Sequence, residues 1–266
     1  MSGVVLLCLI STLGQMNAEF YHDFRTGGDL PPVLAPVRAG QSGTITAGRG
    51  GFRLSLPEGH PPKEAIGFSP LFRIGGDFQI TVTYKLLSTG KPTKELGAGL
   101  KIWAKFASQQ FRAATLGHFK QPEGEEAIVA ILAEDKKGKR DYKTKSVPAS
   151  TQEGQLRLVR SGDELSFQLS QDGGASFSEL QRTEVGTEDV ANLRIVATSG
   201  EDPTAVDGQL LELRIKAERL STAKEPLKKQ AGWIVVLVLV VLAIAGAGAF
   251  VAWRKMAKAR GAAGTT

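Results

Sequence analysis

Alternation of apolar and polar side chains is the feature that most restricts the fold of this 266-residue chain. In the stretch from Phe78 to Lys85, FQITVTYK, every second residue is apolar or aromatic and the residues between are polar. The same pattern recurs from Gly51 to Leu56 and from Leu100 to Phe106. Because successive side chains of a strand point to opposite faces, the pattern predicts antiparallel strands with one face in a core.

Turn residues divide the rest of the body into more short strands. Gln155 to Leu180 is predicted as a three-stranded meander, with strands LRLVR, ELSFQLS and ASFSEL separated by Ser161-Gly162-Asp163 and by the run Gln171 to Gly174. With the other alternating segments we expect roughly a dozen strands, the number and spacing typical of a two-sheet antiparallel sandwich. These other segments are 20–24, 43–47, 65–74, 112–119, 126–133, 192–198 and 209–215.

Two of these segments carry a finer prediction. Glu126 to Ala133 is apolar at both parities, which indicates a strand covered on both faces. In the last segment, the adjacent residues Leu210 and Leu211 shift the alternation by one, which predicts a β-bulge.

A run of 22 uncharged residues, Gly232 to Trp253, predicts one C-terminal transmembrane helix. At ~1.5 Å per residue such a helix extends ~33 Å, and the apolar core of a bilayer is about 30 Å thick. Trp233 and Trp253 are expected at the two membrane interfaces, and Arg254 and Lys255 on the cytoplasmic side. Small residues four apart within the run would allow two such helices to pair.

The N-terminus contains a shorter apolar run, Val4 to Leu13, followed by Ala18. This layout is typical of a secretory signal peptide, and the alternative is a buried first strand. The sequence thus predicts a single-pass cell-membrane protein with an extracytoplasmic body. Its predicted segments are a signal peptide (1–18), the sandwich domain (19–220), a linker (221–231), the transmembrane helix (232–253) and a short basic cytoplasmic tail (254–266).

Charge and cysteine content exclude several classes of function. Four of the 33 basic residues follow the apolar run and all 27 acidic residues precede it, so the rest of the chain has 29 basic and 27 acidic groups. A body so close to neutral predicts no binding of nucleic acid. Cys8, inside the leader, is the one cysteine, which excludes an intrachain disulfide, and its position argues against a thiol nucleophile or a cysteine-based metal site.

Several motifs resemble the concanavalin A-like lectin and glucanase superfamily. They are FQITVTYK, the hairpin RSGDELSF from Arg160 to Phe167, and the closing strand VDGQLLELRI from Val206 to Ile215. More narrowly, FYHDFR from Phe20 to Arg25, with Leu30-Pro31-Pro32, resembles an uncharacterised planctomycete family of secreted or membrane-tethered domains of unknown function. The resemblance implies an all-β jelly-roll sandwich, and the family has no agreed catalytic residues to transfer.

Catalysis is not predicted. Glucanases of this superfamily place two carboxylates close together on one strand, because retaining chemistry needs them ~5 Å apart. Glu123 and Glu125 lie instead beside proline and glycine in a loop, and Glu212 stands alone on its strand. A glycosidase with an atypical site remains the alternative.

No metal or other cofactor is predicted. Ser170, Asp172 and Gly174 resemble an Asp-box, a motif that stabilises a hairpin turn. Calcium bound by Asp172 and Asp163 is the alternative. Zinc is not expected, because the three histidines stand far apart in the sequence: His22, His60 and His118.

Trp103 is the single tryptophan before the apolar run, and Lys101 and Lys105 share its predicted face. This arrangement predicts a platform on which a sugar ring stacks, unless a second sheet or a loop covers the ring. We therefore expect a non-catalytic module that binds a glycan or an envelope protein. The main alternative is a structural or assembly module without a small ligand.

Overall fold

The computed structural model describes residues 16–38, 42–93 and 97–222. In these ranges the chain forms fifteen strands and one 3-10 helix, Phe24–Thr26. The strands are β1 (Ala18–Asp23), β2 (Leu34–Arg38), β3 (Thr44–Gly48), β4 (Gly51–Leu56), β5 (Ala65–Pro70), β6 (Phe72–Thr89), β7 (Ala98–Phe106), β8 (Arg112–Lys120), β9 (Glu126–Lys136), β10 (Lys139–Pro148), β11 (Glu153–Ser161), β12 (Glu164–Ser170), β13 (Ser178–Glu184), β14 (Val190–Thr198) and β15 (Val206–Thr222).

The strands form two antiparallel layers. The first sheet has the order β13-β12-β11-β6-β15-β4-β3, and β1 pairs with the part of β15 that follows the β4 pairing. The second sheet has the order β10-β9-β8-β7-β14-β5-β2. Backbone pairing of Val190 with Ile74 joins the two sheets at one point. The predicted all-β antiparallel sandwich is confirmed.

The core lies between the inner faces of the two sheets. On β6 every second residue of FQITVTYK is at most 2% exposed, and the side chains between are more open, with Thr81 the most buried of them at 8%. On β7 the residues Leu100, Ile102, Ala104 and Phe106 are buried in the same way. The alternation therefore identified the inner face of each of these two strands.

Both finer strand predictions are confirmed. On β9 the inner residues are buried, and on its outer face Val129 and Ile131 form a second small cluster with Phe119. On β15 the register shifts between Leu210 and Glu212, which is the expected bulge.

Two details differ from the sequence prediction. The described residues form fifteen strands rather than about a dozen, and β2 and β10 are the two that were missed. None of the ten residues of β10 is buried, because it is the edge strand of its sheet, so it shows no apolar alternation. The third strand of the meander begins at Ser178 rather than Ala175, because Asp172 holds Ser176 in the preceding turn.

Several predictions fall outside the described residues. They concern most of the leader, the transmembrane helix with its pairing, the basic tail, and the interface residues Trp233, Trp253, Arg254 and Lys255. Among the residues that the structure does describe, no helix has the length and apolar character needed to cross a bilayer.

Candidate functional site

A cavity of about 270 Å³ opens on the outer face of the second sheet. Strand β7 contributes Lys101 and Trp103 to its wall, and the neighbouring strand β14 contributes Arg194, Val196 and Thr198. The rest of the lining comes from the start of β5 and from the loops before β5 and after β14: Lys63, Ala65, Gly200 and Glu201.

Strand register brings these side chains together. Trp103 lies directly opposite Arg194, and Lys101 lies directly opposite Val196. Directly paired residues of antiparallel strands project from the same face of the sheet. Since Leu100 and Ile102 point into the core, their neighbours on β7 must point outward.

Trp103 is half-buried, and its ring is not closed off by a tightly stacked cation. The guanidinium carbon of Arg194 lies 5.3 Å from the ring centre. Elsewhere in the fold, Arg140 and Arg157 stack at 3.5 Å and 3.3 Å from the centres of phenylalanine rings. Trp103 therefore keeps ring surface that a ligand can contact.

The cavity wall is electropositive. Burial foremost, together with the nearby charge of Arg194, lowers the pKa of Lys101 to about 8. Lys63 forms an ion pair with Glu201, with 3.3 Å between Nζ and Oε1. Glu201 is the one carboxylate among the residues seen to line the cavity.

Lys105, the third residue of the predicted platform, does not line the cavity. Its ammonium group lies 5.6 Å from the centre of the Phe111 ring, and the guanidinium carbon of Arg140 lies 3.5 Å from the same ring centre. Trp103 and Lys101 are thus together at the cavity, and Lys105 packs near the other end of β7.

A buried polar cluster fixes the two loops at the cavity rim. His60 Nε2 lies 2.9 Å from Ser199 Oγ and 3.1 Å from the carbonyl oxygen of Thr204, and His60 Nδ1 lies 3.7 Å from Glu64 Oε2. The three side chains have the order of a hydrolase triad, but His60 and Ser199 are at most 2% exposed. The serine hydroxyl also donates to the carbonyl of Asp202. The cluster therefore joins loops rather than presenting a nucleophile.

Lys63 carries the clearest backbone strain at the rim. Its φ angle is +65°, a left-handed conformation that residues other than glycine rarely adopt. The Lys63 amide donates to the carbonyl oxygen of Gly200 over 2.7 Å, which ties the two rim loops together.

The other two histidines lie away from the cavity. His118 is fully buried, with Nδ1 3.0 Å from Tyr84 Oη and Nε2 3.2 Å from Glu126 Oε2, so it links the two sheets. Burial lowers the pKa of His118 and raises that of Tyr84. His22 packs edge-on against Phe24, with 4.7 Å between ring centres. Within the described ranges, no group of three metal-ligating side chains comes together.

The predicted turn residues lie together in the β12–β13 connection. The hydroxyl of Ser170 donates to Asp172 Oδ1 over 2.6 Å and accepts from the Gly174 amide over 2.9 Å. Ser176 donates to both carboxylate oxygens of Asp172. These hydrogen bonds, that from Ser170 foremost, hold the pKa of Asp172 well below its usual range. The backbone carbonyl of Asp163 accepts from Val185 in the neighbouring turn.

None of the carboxylates considered for catalysis reaches the cavity. Glu123 and Glu125 are exposed in the turn between β8 and β9. Glu212 is on the first sheet, where it forms an ion pair with Arg25.

The sequence reasoning missed three charged lining residues: Arg194, Lys63 and Glu201. The alternation of β14 does predict that Arg194 points outward, but it gives no sign that β14 lies beside β7. Lys63 and Glu201 come from loops, where no periodic signal exists.

Comparison with solved structures at a TM-score of 0.50 supports the β-sandwich fold. The CBM2 module of the evolved Dit of Lactobacillus casei BL23 phage J-1 matches 74% of this chain and 94% of its own, at 11% identity and a TM-score of 0.50. Apo Crh5 transglycosylase matches 78% of this chain and 87% of its own, also at 11% identity and a TM-score of 0.50. The exoplasmic/lumenal domain of VIP36 in its Ca2+/Man-bound form matches 75% and 92%, at 12% identity and a TM-score of 0.47.

No curated protein matches the sequence significantly. One family model does match, over residues 6–233, and it is described as the C domain of a protein of unknown function, DUF1583. Since this match covers most of the chain, the protein belongs to the DUF1583 C domain family.

Proposed function

We propose that this protein is a non-catalytic module that binds a saccharide in the cavity around Trp103. One observation carries the proposal: a half-buried tryptophan lines an open cavity together with charged and hydroxyl-bearing side chains. Aromatic rings offer a flat apolar surface for the C–H face of a sugar, and surrounding polar groups fix its orientation. The likeness to solved structures concerns the fold alone, so the support for binding comes from the cavity itself.

The carboxylates support binding without catalysis. Retaining and inverting glycosidases both need two carboxyl groups, about 5 Å or about 6.5–9.5 Å apart. The lining residues include Glu201, which is paired with Lys63, and no second carboxylate among those described. A hydrolytic site would therefore lack its second acid.

The proposal places the protein at the cell membrane, with the sandwich on the extracytoplasmic side. Its support is the uncharged run from 232 to 253 and the basic residues that follow it. Alkaline carbonate extraction of cells that express the full chain should leave it in the membrane pellet. Recovery of the intact chain in the soluble fraction would refute this placement.

A glycan array probed with the full chain in mild detergent tests the binding function. Trp103→Ala should lower affinity for the bound glycan by about tenfold or more, because the ring contact is lost. Tyr21→Ala is the matched control: its ring is 46% exposed and lies 4.8 Å from the Arg214 guanidinium, but on the first sheet. Its affinity should equal that of the wild type.

The outcomes separate the alternatives. If Trp103→Ala binds like the wild type, the cavity is not the site. If no glycan binds but an envelope protein is captured, the assembly module is the better description. If the full chain releases products from a panel of glucans and galactans, the protein is an enzyme.

A further inference from the structure

The cavity contains more positive charge than its own acid neutralises. Its lining includes three cationic side chains, Lys63, Lys101 and Arg194, and one acidic side chain, Glu201. Glu201 forms an ion pair with Lys63 in which both side chains are exposed. Neither Lys101 nor Arg194 forms an ion pair with any residue that the structure describes.

An unpaired cation in a recess is costly for the free protein. Burial in the cavity wall foremost, and repulsion by the charge of Arg194 second, lower the pKa of Lys101 to about 8. A bound anion would relieve both effects at once, because it supplies the missing opposite charge. The free site is therefore complementary to a negatively charged group.

The tryptophan beside these cations restricts which anion fits. Trp103 is a neighbour of both cations, since it lies directly opposite Arg194 on β14 and is two residues from Lys101 on the same face of β7. A sugar that bears a carboxylate or sulfate combines an apolar C–H face with a charge at one ring position. The cavity volume, about 270 Å³, is slightly below the ~300 Å³ typical of the smallest ligand sites, so it suits a single sugar unit.

We propose that the cavity selects acidic saccharides, holding the carboxylate or sulfate between Lys101 and Arg194 while the sugar ring packs on Trp103. This specificity rests on the binding function proposed above and adds the class of ligand to it. The rim contributes a third cation, Lys63, whose position is set by its tie to Gly200.

The test uses the full chain in mild detergent and measures affinity by titration calorimetry. The ligands are an oligogalacturonate, its methyl ester, which has the same skeleton without charge, and a sulfated neutral oligosaccharide. At least one acidic ligand should bind about tenfold or more tightly than the uncharged ester, because a charge-assisted contact contributes more than a neutral one. This preference should weaken at high salt.

Variants identify the groups responsible. Lys101→Met and Arg194→Gln should each abolish the preference for the acidic ligand, and Trp103→Ala should weaken acidic and neutral ligands together. The matched control is Lys216→Met, another half-buried lysine on the outer face of a strand, but on the first sheet. It should keep the preference of the wild type.

The possible results distinguish the two levels of the proposal. Equal affinity for the acid and its ester overturns the acidic specificity and leaves saccharide binding intact. No binding of any saccharide overturns the proposed function itself. A single-stranded oligonucleotide that binds as tightly as the acidic saccharide, or an unchanged preference in both Lys101→Met and Arg194→Gln, also overturns the specificity.

Discussion

Lys101 in the cavity wall pairs with no acid in the part of the chain that the structure describes, so its charge should make the folded protein less stable than it could be. The pKa of Lys101 falls from its usual 10.5 to about 8 in the fold, because burial disfavours the charged form and Arg194 repels it. A pKa difference of this size corresponds to about 3 kcal/mol of lost stability at neutral pH. This figure is an upper limit, since the cavity is open to water.

The sign of the pH dependence follows from proton binding. Between pH 8 and 10.5 the unfolded chain holds its Lys101 proton more tightly than the folded chain, so stability rises with pH. The cost should therefore fall from at most about 3 kcal/mol at pH 7 to less than about 1 kcal/mol at pH 10. Lys101→Met removes the charge and keeps most of the apolar length of the side chain.

We expect Lys101→Met to raise the Tm of the full chain by at most about 6–12 °C at pH 7, since the cost of the charge is at most about 3 kcal/mol and a domain of this size gains about 2–4 °C per kcal/mol. At about pH 10 most of that gain should disappear. Differential scanning fluorimetry at both pH values measures it, with Lys216→Met as the control for removing a half-buried strand lysine. A lower Tm at pH 7, or an equal gain at both pH values, would refute the assignment of a buried, uncompensated charge.

Three further predictions test the framework that carries the cavity. Phe68→Ala should lower the free energy of unfolding, measured by urea titration, by about 3–5 kcal/mol, because the fully buried ring packs on two other phenylalanines. Leu71→Ala is the control and should change this free energy little, since the Leu71 side chain is 53% exposed. Gly67→Ala should lower the Tm and weaken saccharide binding, because the new methyl group would overlap a backbone oxygen of β14. Gly48→Ala is the control and should do neither, since its new methyl group would lie 3.9 Å from the nearest atom. Asp172→Ala should speed hydrogen exchange of the β12–β13 turn amides at pH 7, because the hydrogen bonds to the carboxylate are lost. The difference in exchange rate between variant and wild type should shrink in strong acid, where the carboxyl of Asp172 is protonated despite its lowered pKa. An unchanged exchange rate at pH 7 would contradict the turn role.

The sequence predicted the sandwich because a strand buried on one face must alternate. FQITVTYK and LKIWAKF show this directly, and the adjacent leucines at 210 and 211 showed the bulge in the same way. Where a strand buries no face, as in the edge strand β10, the signal vanishes and the strand was missed. The start of β13 was misplaced because the hydrogen bonds of Asp172, rather than apolar pattern, decide where that strand begins.

Sequence alone therefore determined which residues of β7 point outward, including Trp103 and Lys101. Only the tertiary structure decided what surrounds them, because β14 follows β7 by more than eighty residues in the chain yet pairs with it in the sheet. That pairing places Arg194 beside Trp103, and two distant loops complete the cavity. The alternation within one strand depends only on which of its faces is buried, so the sequence of that strand is enough to predict it. Which side chains meet at a site on a sheet depends instead on strand order and register, and these are set by the packing of the whole domain.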